Sequence, residues 1–165
     1  MNIKGAVAEE HLQRHLRGLN AKGLIENFEA IKKDGQPDFR VQYRQQEFLI
    51  ECKNVEGKTR ADGRMTVDFQ RTRNQKDNPC GRFYTLSEFH ILAACTYNQS
   101  GRWEFLFIDT TNLPRHPGCP DRIYNRVVID ERENTYTSNW SPDIITILEK
   151  LTEKLSKSST TPRKT

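Results

Sequence analysis

No long apolar run occurs in this sequence, and no segment resembles a signal peptide or a membrane span. The expectation is therefore a cytoplasmic chain. Apolar residues are scarce, at 35%, while charged residues reach 29%, so much of the surface has to be polar. The four cysteines, Cys52, Cys80, Cys95 and Cys119, show neither a CxxC pair nor zinc-ligand spacing. Cys52 and Cys95 lie in apolar strand patterns and read as buried, reduced thiols. His11 and His15 have a spacing that can bind zinc on a helix, but no third ligand stands nearby, and surface or packing roles account for them better. There is no internal repeat and no sign of a second domain. The 165 residues suffice for one domain with a substantial core, expected over 1–156, followed by a polar disordered tail over 157–165.

What is present is most informative between Asp38 and Lys53. Side chains alternate along a strand, so Phe39, Val41 and Tyr43 share one face, as do Phe48, Ile50 and Cys52 on the next strand. A tight turn at Gln45-Gln46 would pair Arg44 with Glu47, Val41 with Ile50, Phe39 with Cys52 and Asp38 with Lys53. Every apolar residue then meets an apolar partner, whereas a one-residue slip would set apolar faces against polar ones. Gln-Gln is not a favoured pair for such a turn, so a longer loop is also open. Either way, the apolar pattern brings Asp38, Glu51 and Lys53 onto one face.

Two neighbouring carboxylates repel, and a hard divalent cation relieves that repulsion. Mg²⁺ held by only one or two carboxylates keeps several waters, one of which can become a nucleophile. Lys53 can orient or deprotonate that water, or stabilise charge developing on a phosphate. The plainer alternative is an Asp–Lys–Glu salt-bridge cluster on a solvated sheet face.

Gln36-Pro37-Asp38-Phe39, followed by Phe48-Leu49-Ile50-Glu51-Cys52-Lys53, resembles the PD-(D/E)xK nuclease superfamily. That group includes many restriction endonucleases, archaeal Holliday-junction resolvases and Mrr-type nucleases. The resemblance implies an α/β fold with a restriction-endonuclease-like core, a central mixed sheet flanked by helices. It also implies a Mg²⁺-dependent phosphodiesterase, with Mn²⁺ able to substitute. Asp38, Glu51 and the Cys52 main-chain carbonyl would hold the metal, and Lys53 would activate water. The resemblance covers the first half of the chain well and the second half only by general pattern.

Members of the superfamily often carry an acidic residue on the helix before the hairpin, and Gly5-Ala6-Val7-Ala8-Glu9 is similar to such a helix start. Ala8, Leu12, Leu16 and Leu19 form the apolar stripe. Glu9 lies about 60° from the stripe's centre and Glu10 about 160° away, so Glu9 is the candidate and Glu10 is solvated. The alternative for Glu9 is an ordinary first-turn acid favoured by the helix dipole. Glu26 and Glu29, in a segment ambiguous between helix and strand, are fallback candidates.

The net charge of +4 is mild but unevenly spread. Between Asn54 and Arg82, Lys58, Arg60, Arg64, Arg71, Arg73, Lys76 and Arg82 outnumber Glu56, Asp62, Asp68 and Asp77. Lys58, Arg60, Arg64, Arg71 and Arg73 are the candidate nucleic-acid contacts, and a solvated charged loop is the alternative. Residues 54–66 read as an exposed, mobile loop. Gln70 is the candidate for a downstream Gln that assists the active site in some superfamily members.

Farther on, 89–97 reads as a central strand, 98–101 as a turn and 103–108 as its hairpin partner. A proline-rich loop covers 113–120, and 123–129 is a further strand. Ser141-Pro142-Asp143 starts a helix whose stripe is Ile144, Ile147, Leu148, Leu151 and Leu155.

These features favour a sequence-specific DNA endonuclease of restriction or defence type, acting on double-stranded or branched DNA as a homodimer or higher symmetric oligomer. A Holliday-junction resolvase needs the same catalytic set. A catalytically silent nucleic-acid-binding module and a protein-interaction domain with a chance motif are the readings from other classes.

Overall fold

In the structure, a computed structural model, residues 2–70, 77–130 and 139–159 are described. The chain opens with α1 (Ile3–Ala21), whose first turn is capped by the Asn2 side chain accepting from Gly5 N–H. Ala8, Leu12 and Leu16 are buried, as the stripe requires. Strands β1 (Asn27–Ala30), β2 (Phe39–Tyr43), β3 (Gln46–Asn54) and β4 (Met65–Asp68) follow. The ambiguous segment carrying Glu26 and Glu29 is thus built around a strand.

Next come β5 (Ile91–Cys95), the one-turn α2 (Tyr97–Ser100) and β6 (Phe105–Asp109). Gly101, left-handed at φ +70°, ends α2 where a plain turn is expected. The proline-rich stretch contains β7 (Arg115–His116), paired with β8 (Cys119–Ile123). The single strand expected over 123–129 is broken. Ile123 closes β8 and Arg126 opens β9 (Arg126–Ile129), while Tyr124 N–H turns to the Pro114 carbonyl.

The last element is α3 (Ile144–Ser159). Asp143 rather than Ser141 caps it, its carboxylate accepting from Ile145 N–H at 2.9 Å. Ile144, Ile147, Leu148 and Leu151 are buried, whereas Leu155 stays exposed. The helix also continues through Lys157, Ser158 and Ser159, past the expected start of the tail; residues 160–165 lie outside the described residues.

The central sheet has five strands in the order β1-β2-β3-β5-β6, with β3 and β5 parallel and the other pairs antiparallel. It is a mixed α/β arrangement. Both long helices cover the same face, where Leu12, Leu16, Ile147 and Leu148 pack on Phe39, Val41, Phe48 and Ile50. On the opposite face Leu92, Ala94 and Ile108 pack with Val67 of β4 and Val127 and Ile129 of β9, strands that pair as a separate ribbon. Among the described residues no helix is long and apolar enough to cross a membrane.

The β2–β3 register differs from expectation by two residues. Phe39 pairs with Ile50 and Val41 with Phe48, around a turn at Arg44-Gln45. Both turn residues have positive φ (48° and 64°), as a two-residue hairpin turn with the right twist demands. The Glu26 carboxylate accepts from Gln45 N–H at 3.0 Å and braces the turn. A slip of two keeps every side chain on its own face, so the apolar pattern could not distinguish the two registers.

Cys52 and Cys95, the cysteines of the apolar strand patterns, are buried free thiols, as expected, whereas Cys80 and Cys119 form a disulfide across 39 residues.

Candidate active site

The site forms where β2 gives out and β3 runs on. Asp38 N–H donates to the Ile50 carbonyl at 3.1 Å, extending the ladder by one bond. The next bond is made by a side chain: Asp38 Oδ2 accepts from Cys52 N–H at 2.8 Å. Within a strand, N–H and C=O of one residue point to the same side. The Cys52 carbonyl therefore also projects toward the edge that β2 has vacated, beside Asp38.

Glu51 is 5% exposed. Its Oε1 accepts from Lys53 Nζ at 2.9 Å and from the Tyr84 hydroxyl at 3.3 Å. Burial pushes the Glu51 carboxyl above its ordinary range; Lys53 opposes this and Asp38 reinforces it. Asp38 is likewise raised, first by burial, against the pull of Cys52 N–H and Lys53. Burial works to lower the Lys53 pKa, but the charge of Glu51 outweighs it and holds the ammonium well above its ordinary value. Two carboxylates under stress thus share a single ammonium. The buried Cys52 thiol is pushed well above its ordinary value, chiefly by burial and then by Asp38, so it is not a nucleophile.

Glu9 is exposed on α1, yet it belongs to the same electrostatic group. Partial burial raises its carboxyl first, Asp38 adds to the effect, and Lys53 works against it. Glu26 and Glu29 are engaged elsewhere, the first on the hairpin turn and the second in an ion pair with Arg40 at 2.9 Å. His11 stacks on Trp103 at 4.6 Å and His15 lies against Phe107 at 6.2 Å, so both serve packing.

Beside Glu51 opens a cavity of about 420 Å³, walled by Gly35, Gln36, Pro37, Leu49, Tyr84, Ser87, Glu88 and Phe89. Tyr84 was not visible as a site residue in the sequence. It lies 33 residues from Glu51, and no local spacing connects them.

Among the described residues, no hydrogen bond or ion pair ties Gln70, Lys58, Arg60 or Arg64 to this group. Gln70 is exposed just beyond β4. Lys58 and Arg60 are exposed in the 56–64 connection, which Arg60 N–H closes on the Arg64 carbonyl at 3.0 Å. Arg64 grips Asp62 through Nη2 at 2.6 Å, so that loop carries hydrogen-bonded structure of its own. Arg71 and Arg73 lie outside the described residues.

The fold is similar to that of a bacterial homing endonuclease, I-Ssp6803I. The likeness has a TM-score of 0.59 and covers 98% of this chain and 99% of the other, at 14% identity. No family model matches the chain, and no curated protein does.

The donor set fits a hard cation of the Mg²⁺ kind. Asp38, Glu51 and the Cys52 carbonyl offer only oxygen, and both carboxylates are raised in a way that a cation would reverse. No group of three or more His, Cys, Asp or Glu side chains among the described residues is arranged to hold a metal. Two carboxylates with added waters suit Mg²⁺, which retains much of its hydration, better than a closed zinc site.

Proposed function

We propose that this chain is a Mg²⁺-dependent DNA endonuclease of the PD-(D/E)xK kind, cutting duplex DNA at a specific sequence. The observation that carries this reading is the convergence of Asp38, Glu51 and Lys53 where β2 ends beside a continuing β3, with the Cys52 carbonyl on the same edge. The likeness to a bacterial homing endonuclease over nearly the whole of both chains supports it.

Asp38, Glu51 and the Cys52 carbonyl would hold the ion, and Mn²⁺ would substitute. When bound, the ion supplies an activated water and neutralises charge on the phosphate. Lys53, an ammonium and hence a donor, orients the attacking water and offers charge to the phosphate oxygens. Glu9 adds an acidic group at the edge of the cluster. Lys58, Arg60, Arg64, Arg71 and Arg73 would neutralise the DNA backbone, and Gln70, just after β4, is the candidate to assist the site. One chain carries one such set, so cutting both strands calls for two copies, most simply as a symmetric homodimer.

The test is digestion of mixed plasmid and genomic DNA in Mg²⁺, beside Lys53→Ala and an EDTA control. Discrete fragments that vanish in both controls are expected, with DNA binding by Lys53→Ala retained. No cleavage of any duplex sinks this reading and moves the assay to four-way junctions. Sequencing the cut ends then separates two roles. A short site recurring through the DNA fits restriction and defence, which must meet any invading sequence. A long site met rarely fits homing, the role suggested by the structural likeness.

A further inference from the structure

Tyr84 reaches Glu51 from a part of the molecule that carries neither Asp38 nor Glu9. Its main-chain carbonyl accepts from Ile123 N–H at 2.8 Å, and the Arg122 guanidinium donates to the Phe83 carbonyl at 3.1 Å. Thr85 bridges to Arg122, and the Cys80–Cys119 disulfide ties the start of the same segment to β8. The Tyr84 ring is 5.6 Å from Phe69 and 5.5 Å from Phe89, inside the second core cluster. The hydroxyl is thereby delivered by anchors that do not depend on the site itself.

Resting on the endonuclease reading above, we propose that Tyr84 is a positioning residue for the metal: its hydroxyl holds Glu51 Oε1 and so sets the orientation in which the carboxylate would meet a divalent cation. The polar contacts of Glu51 support this role. Both donors, Lys53 at 2.9 Å and Tyr84 at 3.3 Å, meet the same oxygen. In that reading Lys53 would also serve the water or the phosphate during cleavage, beside its contact with Glu51. The uncharged Tyr84 hydroxyl can keep the carboxylate oriented without competing with the cation for charge. Hydrogen bonds from outside the ligand set that orient a metal ligand typically govern about 10–100-fold in metal affinity or activity.

Tyr84→Phe removes the hydroxyl and retains the ring contacts and the main-chain bond, so the fold survives the change. The experiment titrates Mn²⁺ alone into wild type and Tyr84→Phe by calorimetry, then compares DNA cleavage by both across a Mg²⁺ series. The variant is expected to bind Mn²⁺ about 10-fold more weakly, to lose kcat at low Mg²⁺ with KM for DNA unchanged, and to recover at high Mg²⁺. A variant with wild-type Mn²⁺ affinity, beside a wild type that binds and cuts, overturns the role of Tyr84 and leaves the endonuclease reading intact. A wild type that neither binds Mn²⁺ nor cuts overturns both.

Discussion

Glu51 is nearly inaccessible to water, and Lys53 Nζ is the only ammonium the described contacts bring to it. Removing one partner of such a pair leaves a buried charge uncompensated, which costs about 3–5 kcal/mol for a fully buried pair. Lys53 is 31% exposed, so Lys53→Ala is expected to lose less, about 2 kcal/mol at pH 8. That deficit should shrink toward pH 5. Without Lys53 the Glu51 carboxyl rises further, and protonating it removes the unpaired charge. Urea melts of the metal-free protein at the two pH values test this; a deficit that grows on acidification would contradict it. Asp38 gives the complementary case. A carboxyl raised in the folded state makes the native protein hold its proton more tightly than the unfolded chain, so its ionisation opposes folding as pH rises. Asp38→Asn, which can still accept from Cys52 N–H, should therefore melt higher than wild type at neutral pH in EDTA. The gain should vanish below the ordinary carboxyl value of 3.8, and the variant should lose any stabilisation by Mg²⁺.

At the scale of elements, the β2–β3 hairpin sets the site, and its turn is not optimised. Arg44 and Gln45 both occupy left-handed backbone, a conformation that opposes side chains other than Gly and, to a lesser degree, Asn. Gln45→Gly should relieve the strain and stabilise by about 0.5 kcal/mol, the gain being reduced by the freer unfolded chain. A shift of the urea midpoint to lower concentration would show that the Gln45 side chain holds the turn in some other way. On the helix layer, Leu148 is wholly buried between α3 and the sheet. Leu148→Ala should cost about 2–5 kcal/mol through the cavity it leaves, measured in the same melts. The alternating apolar residues of β2 and β3 and the stripes of α1 and α3 were legible in the sequence because both periodicities are local. The register was not legible, since pairing Phe39 with Ile50 or with Cys52 leaves every face unchanged.

Across the whole molecule, the Cys80–Cys119 disulfide joins the segment bearing Tyr84 to β8. Closing a loop of this length is worth up to about 4 kcal/mol through the unfolded state. Cys80→Ser should therefore lower the melting temperature under oxidising conditions, while variant and wild type should converge once a reductant is added. A persistent difference in reductant would mean that packing around Cys80, rather than the bond, is responsible. The sequence by itself determined that Glu51 and Lys53 share a face, because alternation along a strand is dictated by backbone geometry and needs no partner; bringing Asp38 beside them took the pairing of two strands. It also determined which stripes of α1 and α3 turn inward, since 3.6-residue periodicity is equally local. Only the tertiary structure decided that both long helices cover one face, that 123–129 breaks between two ribbons, that Cys80 meets Cys119, and that Tyr84 reaches Glu51. Each of these joins residues far apart in the chain, and such contacts follow from how layers pack rather than from any repeating pattern along the chain.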